Sequence, residues 1–293
     1  MKYPENMIES PIAAKRDRLA AFFETFDLSV VVVSTEAPGA TANLVVAGEA
    51  GVAERVLFHS RGDTLADPDL LVAAAVDFGG TTNPLVNALP ETVDVDLDGR
   101  PALQALVEAF VTEGQGNRCG RRVALKRLCE LIVLLVLREA IDTAATNPGL
   151  LAGLSHPSLH KAIVAIHDEP AKPWSVEQLA EIAGMSRSRF MELFPKVLGT
   201  TPAAYLNAWR LTLGQRQLMR GGHVKSVARR VGFGSAAAFS RAYSRMFGHS
   251  PMSTRGAQQD IGSAGPSAEG WSIGARSVSL RRPDSSAPGA EGP

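Results

Sequence analysis

The spacing of apolar positions changes along the chain, and those changes divide it. Residues 17–28 place Leu19, Phe22, Phe23 and Phe26 at helical intervals, which predicts a short helix. Short runs rich in apolar residues follow at 29–33, 42–46, 54–59 and 70–78, and these read as strands. Turn-forming stretches at 37–40, 48–51, 61–63 and 79–84 separate them. Residues 94–98 read as an acidic stretch and 101–112 as a helix. The longest helical pattern runs over 118–142 through Val123, Leu125, Leu128, Cys129, Ile132, Leu135 and Val136. Around 132–137 it is apolar on nearly every side, which predicts burial on more than one face, in the core or at a dimer contact. Residues 146–149 read as a short linker.

Residues 155–255 read as about seven helices. The first lies near 157–167, with Leu159, Ile163 and Ile166 on one face and Pro170 and Pro173 beyond its end. Ser175 and Gln178 form an S-x-x-Q capping box for an amphipathic helix over 176–182. Gly184 supplies a tight turn and Ser186 caps the next helix. That helix turns Phe190, Leu193 and Phe194 inward and Arg187, Ser188, Arg189, Met191 and Glu192 outward. A short helix, a glycine turn and a capped second helix make a helix-turn-helix layout, in which the second helix enters the DNA major groove. Gly199 ends it. Thr201 and Pro202 then open a long helix through Tyr205, Leu206, Trp209, Leu211, Leu213 and Leu218 to Gly221.

The pattern then recurs. A short helix over 224–231 leads to Gly232-Phe233-Gly234, and Ser235 caps a helix with Phe239, Tyr243, Met246 and Phe247 on its apolar face. At an offset of 49 residues Ser186 matches Ser235, Phe190 Phe239, Phe194 Tyr243, Leu198 Phe247, Gly199 Gly248 and Pro202 Pro251. This is an internal repeat. An eighteen-residue spacer is ~27 Å long. It suits two recognition helices reaching major-groove segments that recur every ~34–36 Å on one face of DNA.

Charge sharpens this division. The 293 residues have zero formal net charge, yet residues 1–110 hold 7 Lys/Arg against 17 Asp/Glu, while 156–255 hold 14 against 5. A basic half points to an anion such as nucleic acid. With 45% hydrophobic and 20% charged residues the chain is globular, and its length suggests two domains. Its two cysteines, Cys119 and Cys129, exclude a disulfide framework and a four-cysteine zinc site; Cys129 reads as a core residue. The polar start of the chain and an apolar run limited to 132–137 predict no signal peptide, no membrane association and a cytoplasmic protein. Residues 256–293, rich in Gly, Ser, Ala and Pro, are expected to be a disordered tail. The expected fold is α+β. A β-rich N-terminal domain (1–110) and linker helices (111–154) precede an all-α domain (155–255), whose two helix-turn-helix units are joined by a long helix.

The hundred residues from about His156 to Arg255 resemble the AraC/XylS family of transcription regulators. The second unit carries Gly232-Phe233, Ser235, Phe239, Arg241, Phe247-Gly248 and Ser250-Pro251. The first carries Ala180, Gly184-Met185-Ser186, Phe190, Phe194, Gly199, Pro202 and Tyr205. The N-terminal half resembles, in shortened form, the cupin-type sensor domains of that family, through Arg61-Gly62-Asp63 and the run NPLVNALP at 83–90.

The resemblance implies a sequence-specific regulator of double-stranded promoter or operator DNA. It implies an unknown small-molecule effector, a homodimer and RNA polymerase as candidate partners. An effector-independent architectural DNA-binding protein is the alternative. The resemblance maps base contacts to Arg187, Ser188, Met191 and Glu192, and to Ala236, Ala237, Ser240 and Arg241. For Arg187, base edge and phosphate both stay open. Arg189, Lys196, Lys225, Arg229 and Arg245 are candidates for phosphate contacts, and Arg210 for a phosphate contact or an internal brace. Ala236, Ala237 and Ala238 can meet only a thymine methyl, so the first unit is expected to carry most sequence choice. No enzyme, cofactor or metal is expected: there is no phosphate loop or GxSxG elbow, and His59 is the one histidine of the N-terminal half.

Overall fold

The structure, a computed structural model, describes residues 17–33, 42–60, 70–116, 118–143 and 148–256. Arg61-Gly62-Asp63 and the expected tail beyond Gly256 lie outside them, as does half of the expected linker at 146–149.

Helix α1 (Ala20–Thr25) precedes a sheet of five described strands: β1 (Ser29–Val33), β2 (Leu44–Ala47), β3 (Arg55–His59), β4 (Leu70–Asp77) and β5 (Thr92–Asp96). The order is β1-β4-β2-β3-β5 and every pairing is antiparallel. Four strands fall on the four predicted runs. The fifth corrects the reading of 94–98 as an acidic stretch. Val93 and Val95 point into the core while Thr92, Asp94 and Asp96 are exposed, so this is an alternating edge strand whose acids are its solvent face.

The NPLVNALP run has a structural role in this fold. Asn83 is fully buried, accepts from the Leu85 N–H at 2.9 Å and donates from Nδ2 to the Phe78 carbonyl at 2.8 Å. It thereby caps α2 (Pro84–Ala88) and ties it to the end of β4. His59 is spoken for as well, with Nδ1 3.0 Å from Thr92 Oγ1.

Helices α3 (Pro101–Gln115) and α4 (Arg121–Thr143) pack on each other, and both reach the sheet. The apolar breadth of α4 is explained by its neighbours α3, β1, β5 and α5 (Leu150–Ser155). Ile132, Val133, Val136 and Leu137 are buried among them, whereas Val123 and Leu131 are exposed.

The remaining helices are α6 (Leu159–Asp168), α7 (Val176–Ile182), α8 (Arg187–Leu198), α9 (Pro202–Met219), α10 (Val224–Arg230), α11 (Ala236–Phe247) and α12 (Pro251–Gly256). Seven helices thus occupy the stretch expected to hold about seven. A continuous apolar core runs from the sheet through α3, α4 and α5 into α6, α7, α8 and the first part of α9. Helix α1 lies at the join: Phe23 packs on Phe78 of the sheet side, while Phe22 stands edge-on to His167 of α6 and Trp209 of α9. A second, smaller core holds the last helices together through Leu218, Val227, Val231, Phe239 and Tyr243. The first helix-turn-helix unit therefore shares its core with the N-terminal half, and the second has its own.

Candidate nucleic-acid interface

Each unit is assembled by local chemistry legible in its residues. In the first, Ser175 accepts from the Gln178 N–H while the Gln178 side chain accepts from the Ser175 N–H, at 3.2 and 3.0 Å. Ser186 Oγ accepts from the Arg189 N–H at 3.3 Å and starts α8. In the second, Ser235 Oγ accepts from the Ala238 N–H at 3.1 Å and starts α11. Both recognition-type helices are twelve residues long, and both end on a left-handed glycine, Gly199 at φ 73° and Gly248 at φ 76°.

The repeat has finer grain than one offset. Helices α7 and α10 start at Val176 and Val224, an offset of 48, and their turns are closed alike: Met185 N–H to Ala180 O at 3.0 Å, Phe233 N–H to Ala228 O at 2.9 Å. From the capping serines onward the offset is 49. The extra residue is Gly234, so the second turn is one residue longer.

The inward faces agree with the sequence reading. Phe190, Phe194 and Leu198 are buried on α8, and Phe239 and Tyr243 on α11. The outward faces also agree in exposure: Arg187, Ser188, Arg189, Met191 and Glu192 on α8 are exposed, as are Ala237 and Arg241 on α11. Ala236, Ala238 and Ser240 are half-buried. Lys196, Lys225, Arg229 and Arg245 are exposed. Lys225, Arg229, His223, Ser226, Phe233 and Ser235 line one open concavity at the front of the second unit.

Two arginines of α8 have acidic neighbours. Arg187 Nε donates to Glu177 Oε1 at 2.7 Å, and Arg189 Nη1 to Glu192 Oε2 at 3.3 Å. Glu177 is held below the usual carboxylate range first by its own backbone N–H, then by Ser175 and Arg187. Residue-by-residue pattern reading missed Glu177, because its partner lies on another helix.

Arg210 is an internal brace. Its Nε donates to the Pro170 carbonyl at 2.6 Å and its Nη2 to the Lys172 carbonyl at 2.9 Å, which pins the loop between α6 and α7 to α9. The second unit touches the same loop: a Cβ on Gly232 would meet the Ala171 backbone at 2.7 Å. Together with the continuous helix α9, about 27 Å long for its 18 residues, this contact sets how the two units stand relative to each other. Arg216 and Arg220, near the end of α9, reach Asp27 beyond α1 at 3.3 and 2.8 Å.

Beneath the first unit, His167 Nε2 and the Tyr205 hydroxyl lie 2.7 Å apart among Phe22 and Trp209. Burial pushes His167 down to about 3 and Tyr205 up. No cluster of three or more His, Cys, Asp or Glu that could hold a metal occurs among the described residues. No helix among them is long and apolar enough to cross a membrane.

Comparison with known proteins assigns both halves. A helix-turn-helix domain model matches residues 179–257, and a cupin model matches residues 28–142. The HTH-type transcriptional regulator AlkR of Acinetobacter baylyi is 34% identical over 178 residues, covering 59% of this chain and 58% of that protein. A putative AraC-like transcription regulator of Streptomyces lividans is 32% identical over 190 residues, covering 63% and 62%. Among solved structures, the DNA-binding domain of AdpA in complex with a target DNA is similar at 30% identity and a TM-score of 0.34, covering 36% of this chain and 95% of that one. The chain matches less than two thirds of the length of these curated relatives. A helix-turn-helix domain thus follows a cupin-type N-terminal half, and over about three fifths of its length the chain is similar to proteins named as HTH-type and AraC-like transcription regulators.

Proposed function

We propose that the protein is a transcription regulator that binds double-stranded DNA sequence-specifically, with α8 and α11 entering successive major-groove segments. The observation that carries this reading is the repeated construction of those two helices. Each is serine-capped, ended by a left-handed glycine and buried on an aromatic face, and they flank one rigid helix. The naming of its relatives as transcriptional regulators supports the same reading.

In this reading Arg187, Ser188, Met191 and Glu192 face bases from α8, and Ala236, Ala237, Ser240 and Arg241 from α11. Arg189, Lys196, Lys225, Arg229 and Arg245 contact phosphates, each lowering the log–log salt slope by about one when removed. Arg210 is not among them, because its guanidinium is engaged by the loop. The first unit makes most of the sequence choice. Replacing Arg187 should cost more base discrimination than replacing Arg241, and the reverse order would refute that.

The N-terminal half, taken as the unit from α1 through α4 because α3 and α4 pack on the sheet, is the sensor and dimerisation part. A small-molecule effector, a second copy and RNA polymerase complete the proposed set of partners, and the cytoplasm is the proposed location. Self-association is tested at the exposed α4 residues Val123 and Leu131 rather than at Ile132, which is fully buried and whose substitution would damage the core.

The deciding experiment is selection from a randomised duplex pool at two salt concentrations. Enrichment of two informative blocks about one helical turn apart supports the proposal. Salt-sensitive binding that enriches nothing favours the architectural reading. Absence of binding with and without candidate effectors refutes both.

A further inference from the structure

Glu177 is oddly placed for a protein that meets DNA with this face. In a helix-turn-helix the first helix crosses the phosphate backbone, and Glu177 is the second residue of α7. A carboxylate there repels phosphates and weakens binding to any duplex. It is also exposed, as is Arg187, so their ion pair adds little to folding stability. A residue that costs affinity and adds little stability calls for another account.

The geometry supplies one. Glu177 Oε1 takes the Arg187 Nε–H at 2.7 Å, and among the described residues the two terminal nitrogens of Arg187 have no protein partner. A guanine is read through two parallel N–H groups reaching its O6 and N7. A pair made through Nε leaves Nη1 and Nη2 free for that purpose. It also holds the long side chain in one arrangement, so less rotamer freedom is lost on contact.

The second unit provides an internal control. The equivalent of Glu177, second residue of α10, is Lys225, and the equivalent of Arg187, first residue of α11, is Ala236. Where the arginine is missing the carboxylate is missing too, and a cation stands in its place. The two positions change together, as partners do.

We propose that Glu177 is a positioning residue for sequence choice: it orients Arg187 toward one guanine and offsets non-specific attraction to the duplex. The inference rests on the reading of the chain as a sequence-specific DNA binder.

The test is duplex selection and sequencing with the full chain and its variants Arg187→Ala, Glu177→Ala, Glu177→Gln and the double Glu177→Ala/Arg187→Ala, with thermal melting of each. Arg187→Ala should abolish preference for guanine at one position. Glu177→Ala should reduce that preference about tenfold while leaving melting unchanged and non-specific affinity equal or higher. Glu177→Gln, whose amide oxygen still accepts from Nε, should keep most of the preference. The double variant should discriminate no worse than Arg187→Ala alone.

Preference unchanged in Glu177→Ala but lost in Arg187→Ala overturns the inference and leaves the functional reading standing. Preference unchanged in Arg187→Ala overturns it as well, as does a uniform loss at all positions with lowered melting. Failure of the unaltered chain to enrich any sequence overturns the functional reading itself.

Discussion

Replacing Gly214 by alanine sets two effects of opposite sign against each other. Gly214 lies buried in the middle of α9, and in a helix interior alanine is ordinarily the better residue by ~1 kcal/mol. Here a Cβ would meet Phe239 Cε2 at 2.7 Å and Cζ at 2.9 Å. The ring has little room to retreat. Phe239 is fully buried, and Phe233 and Tyr243 stand on either side of it at centroid distances of 5.3 and 5.5 Å. Forcing an extra carbon into such a core costs ~1–3 kcal/mol. The packing cost exceeds the helix gain at all but the lower limit, so Gly214→Ala should destabilise the second unit by about 1 kcal/mol. That unit has its own small core, so the damage should stay local. Denaturant unfolding should show a weakened second unit, and footprinting should show protection lost over one half of the site while the other half stays protected. Phe239→Leu supplies the control, because leucine ends before the clashing atoms. In that background Gly214→Ala should turn neutral or stabilising. Greater stability of Gly214→Ala in the unaltered chain would refute the close approach of α9 and α11 from which the argument starts.

Three further outcomes are expected. Because burial takes His167 from its ordinary 6.5 to about 3, the unfolded chain binds its proton more readily, so its contribution to stability is complete above pH 6.5 and is lost as pH falls toward 3. The slope in that window is up to ~1.4 kcal/mol per pH unit, and equal slopes in the unaltered chain and in His167→Gln would contradict it. Phe22→Ala empties a fully buried site where the sheet side meets the first unit, at a cost of ~3–5 kcal/mol; calorimetry should then resolve the N-terminal half from the helical half, and one unchanged transition would argue against that join. Cys129, buried with its thiol pushed up to about 12 by desolvation, should resist alkylation at pH 8 in the native protein while exposed Cys119 reacts; mass spectrometry showing native labelling at Cys129 would refute its burial.

What the residues alone determined is everything that depends on short separations. Capping serines, helix-ending glycines and the inward phenylalanines act within a few positions of themselves, so both units and their repeat could be placed from the pattern. Four strands were legible for the same reason. Strand β5 was legible too, in the alternation of Val93 and Val95 with Thr92, Asp94 and Asp96, but its acids hid it. The tertiary structure decided what lies between segments distant in sequence. It set the partners of α4, the insertion of Phe22 between α6 and α9, and the grip of Arg210 on the Pro170 and Lys172 carbonyls. It also set the approach of α11 to Gly214 and the pairing of Glu177 with Arg187. Those contacts bring together side chains whose separation in space is fixed by how whole helices pack, and no local period or cap encodes that distance.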